Sequence, residues 1–147
     1  MKKKKYGGEV VATKTQEIQI GHELPSFSRV FTLEMSRAYS GWPEKKNFHT
    51  DEDLAKTKGF PTVLVEASVS GAYINEILTR FFGADWFKSG KLRLTFLGVV
   101  HPPQRLTAKG VVKEKVEEKG GVRFSVEAWV ENEKGEKVTV ANASALV

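Results

Sequence analysis

Apolar and polar positions change period partway along the chain. From Lys91 onward apolar residues recur at every second position. Leu92, Leu94 and Phe96 share one side of Lys91–Leu97, and Leu106, Ala108, Gly110 and Val112 share one side of Arg105–Val116. Val122, Phe124, Val126, Ala128 and Val130 do the same in Val122–Glu131. This alternation predicts strands with one buried face. Lys119-Gly120-Gly121 and Glu133-Lys134-Gly135 supply tight turns, so these strands are expected to run as an antiparallel meander. His101-Pro102-Pro103 interrupts the first two, and Lys137–Val147 is expected to close the chain as an edge strand.

Upstream the period is helical. Val65–Phe82 predicts the longest helix, with small residues early (Ala67, Ser68, Ser70, Gly71, Ala72) and bulky ones late (Ile74, Ile77, Leu78, Phe81, Phe82). The small side chains let the helix lie close to a sheet. The bulky ones cover more than one face, so the helix is expected to be largely buried. Two short helices precede it. Thr32 is the expected N-cap of Leu33–Tyr39, with Met35, Ala38 and Tyr39 on its inner face. Thr50 is the expected cap of a second helix, with Asp51, Glu52 and Asp53 at its positive end and Gly59 just past its close. Val10–Ile20 and Phe27–Phe31 are expected strands, and Gly83–Gly90, containing Trp86, an expected loop. A buried helix followed only by strands is most simply an α+β domain in which a sheet wraps the helix.

Composition narrows the class. At 147 residues, 40% hydrophobic and 28% charged, the chain suits a single folded domain over residues 1–147, with residues 1–8 as a tail. No apolar run approaches the roughly 18 residues of a membrane span. Lys2–Lys5 is followed by Tyr6-Gly7-Gly8-Glu9 where a secretory signal needs an apolar run, which points to the cytoplasm. There are no cysteines, which excludes disulfides, thiolate catalysis and Cys-ligated metals. The net charge of +5 owes four charges to Lys2–Lys5. No aromatic-interleaved basic stripe accompanies it, so no nucleic-acid partner is expected. The three histidines lack metal-ligand spacing, and no metal is expected. His22 and His101, beside turn residues, read as surface positions; His49, beside a helix start, does not.

Three segments resemble a known family: GHELPSFSRVFT, HTDEDLAKTKGF and, after the long helix, KLRLTFLGVVHPPQRLTAKGVV. They are similar to the MaoC-like acyl-CoA dehydratases and (R)-specific enoyl-CoA hydratases. The resemblance runs from about Ile20 to Val116. It implies the hot dog fold, an antiparallel sheet around one long helix. It also implies an acyl-CoA thioester as substrate, coenzyme A as part of that substrate with no other cofactor, and a homodimer. The family's motif has an Asp, a His five residues later and an Asp two beyond that. His49 matches the His and Asp51 the last Asp. Glu44 stands in the first position, one methylene longer. Where the family starts its central helix with His-Gly, this chain has Glu66-Ala67.

The chemistry sets its own requirements. Adding water to a conjugated enoyl thioester requires a donor for the thioester carbonyl as enolate charge develops. The first N–H groups of a buried helix, here at Ala67, supply one. It also requires a base for water and a proton for the α carbon, and a His with a carboxylate suits both. His49 with Glu44 is the expected pair, while Asp51 either orients His49 or caps the helix. Trp42 and Trp86 are candidate walls of an acyl pocket. Two alternatives stay open. In hot dog thioesterases a carboxylate near the central helix attacks the thioester or activates water, and Glu66 stands at that place. A non-catalytic acyl-CoA-binding hot dog protein is the other.

Overall fold

The computed structural model describes residues 15–147. The tail 1–8 and the first half of the expected strand Val10–Ile20 lie outside the described residues. Residues 15–20 are turns and irregular chain, not strand. The Lys115 ammonium takes up the carbonyls of Thr15 (3.2 Å) and Ile18 (3.0 Å), so these groups bond to a side chain and not to a neighbouring strand.

The elements in chain order are β1 (Phe27–Phe31), α1 (Leu33–Tyr39), α2 (Glu52–Thr57), α3 (Ala67–Phe82), α4 (Ala84–Ser89), β2 (Lys91–Phe96), β3 (Gln104–Glu118), β4 (Gly121–Glu131) and β5 (Lys137–Leu146). The strands form one five-stranded sheet in the order β1-β3-β4-β5-β2, antiparallel at every pairing. Leu106, Ala108, Val112, Phe124, Val126, Ala128 and Val130 turn one face of β3 and β4 into the core, as the alternation requires. The last strand is not an edge. β5 lies between β4 and β2, and Ala141, Ala143 and Ala145 bury against α3 and α4. Such small residues suit the place where helices approach the sheet most closely. The edges are β1 and β2.

α3 lies across the sheet's inner face, so the fold is the hot dog fold. Ile74, Ile77 and Leu78 are completely buried, and Val69, Tyr73, Phe81 and Phe82 nearly so. A Cβ on Gly71 would come within 3.0 Å of Leu94 Cδ1, which explains the smallest side chain at this helix–sheet contact. Ile77→Ala should destabilise the protein by about 2–5 kcal/mol, through lost burial and an incompletely closed cavity. Urea unfolding followed by circular dichroism measures this; a shift below about 0.5 kcal/mol would contradict the central place given to α3.

Several local expectations change. Thr32 caps α1 by accepting from Met35 N at 3.2 Å, but α1 turns its buried side the other way. Met35 and Tyr39 are 47% and 51% exposed, Ala38 is exposed, and Ser36 is buried. Ser36 Oγ donates to His49 O at 2.9 Å, so a polar contact with the His49 loop sets the facing of α1. The cap of α2 is Asp51, whose Oδ1 accepts from Asp53 N (3.0 Å) and Leu54 N (3.1 Å). Thr50 is instead completely buried; its Oγ1 accepts from Asn47 N (3.0 Å) and lies 3.2 Å from the carbonyls of Lys45 and Asn47. The expected loop Gly83–Gly90 is helix α4, opened by Gly83 at φ +59° and closed at Gly90, where any Cβ would collide with Trp86. His22 and His101 are half-buried. The His22 ring lies 5.9 Å from that of Phe81, and His101 Nδ1 donates to Val63 O at 2.9 Å.

Candidate active site

A cavity of about 240 Å³ opens where α3 begins. Its wall is made by the α1–α2 loop (Phe48, His49), the chain entering α3 (Phe60, Leu64, Val65, Glu66), the start of α3 (Ala67, Ser70), the segment after β2 (Gly98, Val99, Val100) and the sheet (Leu106, Val138, Thr139). Burial grades its depth. Phe48, Ala67 and Val99 are exposed, whereas Leu106, Val138, Thr139 and Ser70 are buried. The wall is mostly apolar and carries few polar side chains, a combination suited to an acyl group with one reacting centre.

His49 is held at three points. Its N–H donates to Asn47 Oδ1 at 2.8 Å, its carbonyl accepts from Ser36 Oγ at 2.9 Å, and its ring Nδ1 is 2.8 Å from Leu64 O. A carbonyl oxygen only accepts, so Nδ1 carries the hydrogen and the neutral ring keeps its lone pair on Nε2. The Phe48 ring packs against the imidazole at 4.2 Å between centroids. The structure therefore places an oriented imidazole in the wall of a largely apolar cavity, its Nε2 without a hydrogen-bond partner among the described residues.

Glu66 occupies the N-cap position of α3 without capping it by its side chain. The carboxylate is instead turned onto hydroxyls: Oε1 accepts from Ser40 Oγ at 2.6 Å and Oε2 from Ser68 Oγ at 3.4 Å. Among the described residues no side chain accepts from the first N–H groups of α3; Val69 N donates to Glu66 O at 3.0 Å, and a helix start leaves the N–H groups of Ala67 and Ser68 without intrahelical partners. At the cavity floor Ser70 Oγ donates to Ala67 O (2.8 Å) and lies 2.6 Å from Thr139 Oγ1, joining α3 to β5.

The structure brings three of the expected site residues to this cavity, His49, Glu66 and Ala67, and leaves four out of its wall. Glu44 is exposed in the turn that follows α1. Asp51 is occupied with the α2 cap. The Trp42 ring meets two cations, its centroid 5.0 Å from the Arg37 guanidinium and 5.4 Å from Lys46 Nζ. Trp86 is core: it stacks on Phe82 at 5.8 Å and donates from Nε1 to Asn75 Oδ1 at 2.6 Å. Sequence reading misses Ser40, the buried partner of Glu66, and the floor pair Ser70 and Thr139. Ser40 and Glu66 are 26 residues apart, and no local pattern links them. Among the described residues no group of His, Cys, Asp or Glu is arranged to hold a metal ion.

The architecture has known counterparts. No family model matches the chain, and no curated protein matches it in sequence. Solved structures do match in shape, and they place the chain in the fold of the MaoC-like dehydratases and (R)-hydratases. The (R)-hydratase from A. caviae involved in PHA biosynthesis superposes with a TM-score of 0.70 at 17% identity, over 90% of this chain and 99% of the other. The MaoC-like dehydratase from Rhodospirillum rubrum gives 0.69 at 18%, over 90% and 94%. The C-terminally truncated HadBC complex from Mycobacterium tuberculosis, a (3R)-hydroxyacyl-ACP dehydratase, gives 0.66 at 15%, over 88% and 98%.

Proposed function

We propose that this protein hydrates a 2-enoyl thioester to the 3-hydroxyacyl thioester, and catalyses the reverse dehydration, with coenzyme A as the carrier. The observation that carries the reading is the meeting of His49, Glu66 and the start of α3 in one apolar-walled cavity. In the hydration direction His49 Nε2 takes a proton from water and the water oxygen bonds to C3. The C2–C3 π electrons move toward the thioester oxygen, where the Ala67 N–H stabilises the enolate. The imidazolium passes that proton to the Glu66 carboxylate, which delivers it to C2. One water is consumed, and both side chains end in the state in which they began. The reaction moves protons only, so coenzyme A enters solely as part of the substrate.

The test uses crotonyl-CoA. Loss of the enoyl absorbance with formation of 3-hydroxybutyryl-CoA and no free thiol is the expected result. Release of coenzyme A thiol would overturn hydration in favour of hydrolysis, the second reading, which the place of Glu66 at the helix start favours. Acyl-CoA binding without either reaction would assign a non-catalytic module.

The protein is further proposed to act in the cytoplasm as a homodimer. Among the described residues no helix is long and apolar enough to cross a membrane. β2 pairs with β5 on one side only, and Phe96, Leu97 and Val99 are exposed at its end, where Val99 also walls the cavity. A second copy would cover this edge. Light scattering at micromolar concentration should return twice the 16.4 kDa chain mass; a monomer would contradict the dimer.

A further inference from the structure

We propose that Ser40 is a positioning residue: its hydroxyl draws the Glu66 carboxylate off the end of α3 and holds it as the reacting carboxylate of the cavity. The proposal rests on the hydration reading above. A short polar side chain at an N-cap, Asp among them, ordinarily accepts from the backbone N–H groups of the first helical turn, and the longer Glu reaches past them unless it folds back. Asp51 does so on α2. Glu66 makes no such bond on α3. Its Oε1 accepts from Ser40 Oγ at 2.6 Å instead.

Ser40 is well placed for this. It is the C-cap of α1, its N–H donates to Ser36 O at 3.0 Å, and only 7% of it is exposed, so its backbone is anchored and its hydroxyl is shielded from solvent. Ser36, one turn earlier on α1, donates to the His49 backbone carbonyl, so α1 and its cap contact both His49 and Glu66. The second carboxylate oxygen meets a weaker donor: Tyr39 Oη donates to Ser68 Oγ at 3.1 Å, and Ser68 donates to Glu66 Oε2 at 3.4 Å. All these hydrogens point toward the carboxylate.

Two consequences follow chemically. Glu66, which shares the cavity wall with His49, keeps its carboxylate in one place, a duty for which the exposed Glu44 is badly placed. The α3 N–H groups stay open to the thioester oxygen. Without the Ser40 hydroxyl, Glu66 would be released to bond to those N–H groups, and both its own role and the carbonyl site would suffer together.

The experiment compares Ser40→Ala, Ser40→Thr, Glu66→Gln and the double variant Ser40→Ala/Glu66→Gln in crotonyl-CoA hydration. Ser40→Ala should lower kcat by about 10- to 100-fold, the scale of a misplaced catalytic group, with KM within about twofold. Ser40→Thr, which keeps the hydroxyl, should recover most of the rate. Ser40→Ala should cost less in the Glu66→Gln background than in the unaltered protein, because Ser40 acts through Glu66. Should Ser40→Ala not fold, Ser40→Cys, similar in size but a weaker donor, should show a loss in the same direction. An inactive Glu66→Gln beside a fully active Ser40→Ala or Ser40→Cys overturns the positioning role alone. A fully active Glu66→Gln instead removes Glu66 from the proposed reaction, and Ser40 with it.

Discussion

His49→Ala should lower kcat/KM for the proposed hydration by about 10²–10⁴-fold, the usual contribution of a positioned general base. At 1.36 kcal/mol per tenfold this is about 3–5 kcal/mol of transition-state stabilisation. The size follows from how the imidazole is held. Donation from Nδ1 to Leu64 O dictates the tautomer, and the backbone bonds to Asn47 and Ser36 fix the residue before substrate arrives. Alanine removes the base and keeps both backbone bonds, so the thermal melt should move little. His49→Gln tests the same point differently, since an amide hydrogen-bonds but does not accept the proton from water. Full hydration activity in His49→Ala, with a normal melt, would sink the assignment.

The second large effect separates two glutamates. Glu66→Gln should lose about 10²–10³-fold in kcat, while Glu44→Gln should stay within about twofold. The family resemblance points to Glu44, which stands where that family carries its Asp. The structure leaves Glu44 exposed in a turn and brings Glu66 to the wall that His49 shares. A carboxylate in solvent has no fixed place from which to deliver a proton, whereas one bonded to a buried hydroxyl has. Glutamine in place of Glu66 still accepts from Ser40, so the fold should survive the loss of the acid. A large loss in Glu44→Gln, with Glu66→Gln active, would reverse the roles and require the α1–α2 loop to close over the substrate.

Much of the fold is legible in the order of residues. Alternation places the buried faces of β3 and β4, because a strand's side chains point to opposite sides in strict turn. The composition of α3 announces a buried helix. It starts at Ala67 and not Val65, since Val65 N donates to Val100 O at 2.8 Å and is held as extended chain. The pattern at Leu33–Tyr39 finds the helix and its Thr32 cap but picks the wrong inner face. Met35 and Tyr39 are apolar enough to suggest burial, yet the bond from Ser36 to His49 decides the rotation. Trp86 misleads for a related reason. Between two glycines it looks like loop, and only its stack on Phe82 and its bond to Asn75 make α4 part of the core.

By itself, then, the sequence determined β1, the three helices α1 to α3 and the strands from Lys91 onward in their order, the helix at the centre and the histidine beside it, because period, caps and turn residues act within a few positions of one another. Only the tertiary structure decided that β5 is interior, that Trp86 is core, and that Glu66, not Glu44, shares a cavity with His49. Those outcomes depend on contacts between distant residues, Ser40 with Glu66 and His49 with Leu64 among them. Periodicity says which way a side chain points from its own element, and folding alone says what it meets there.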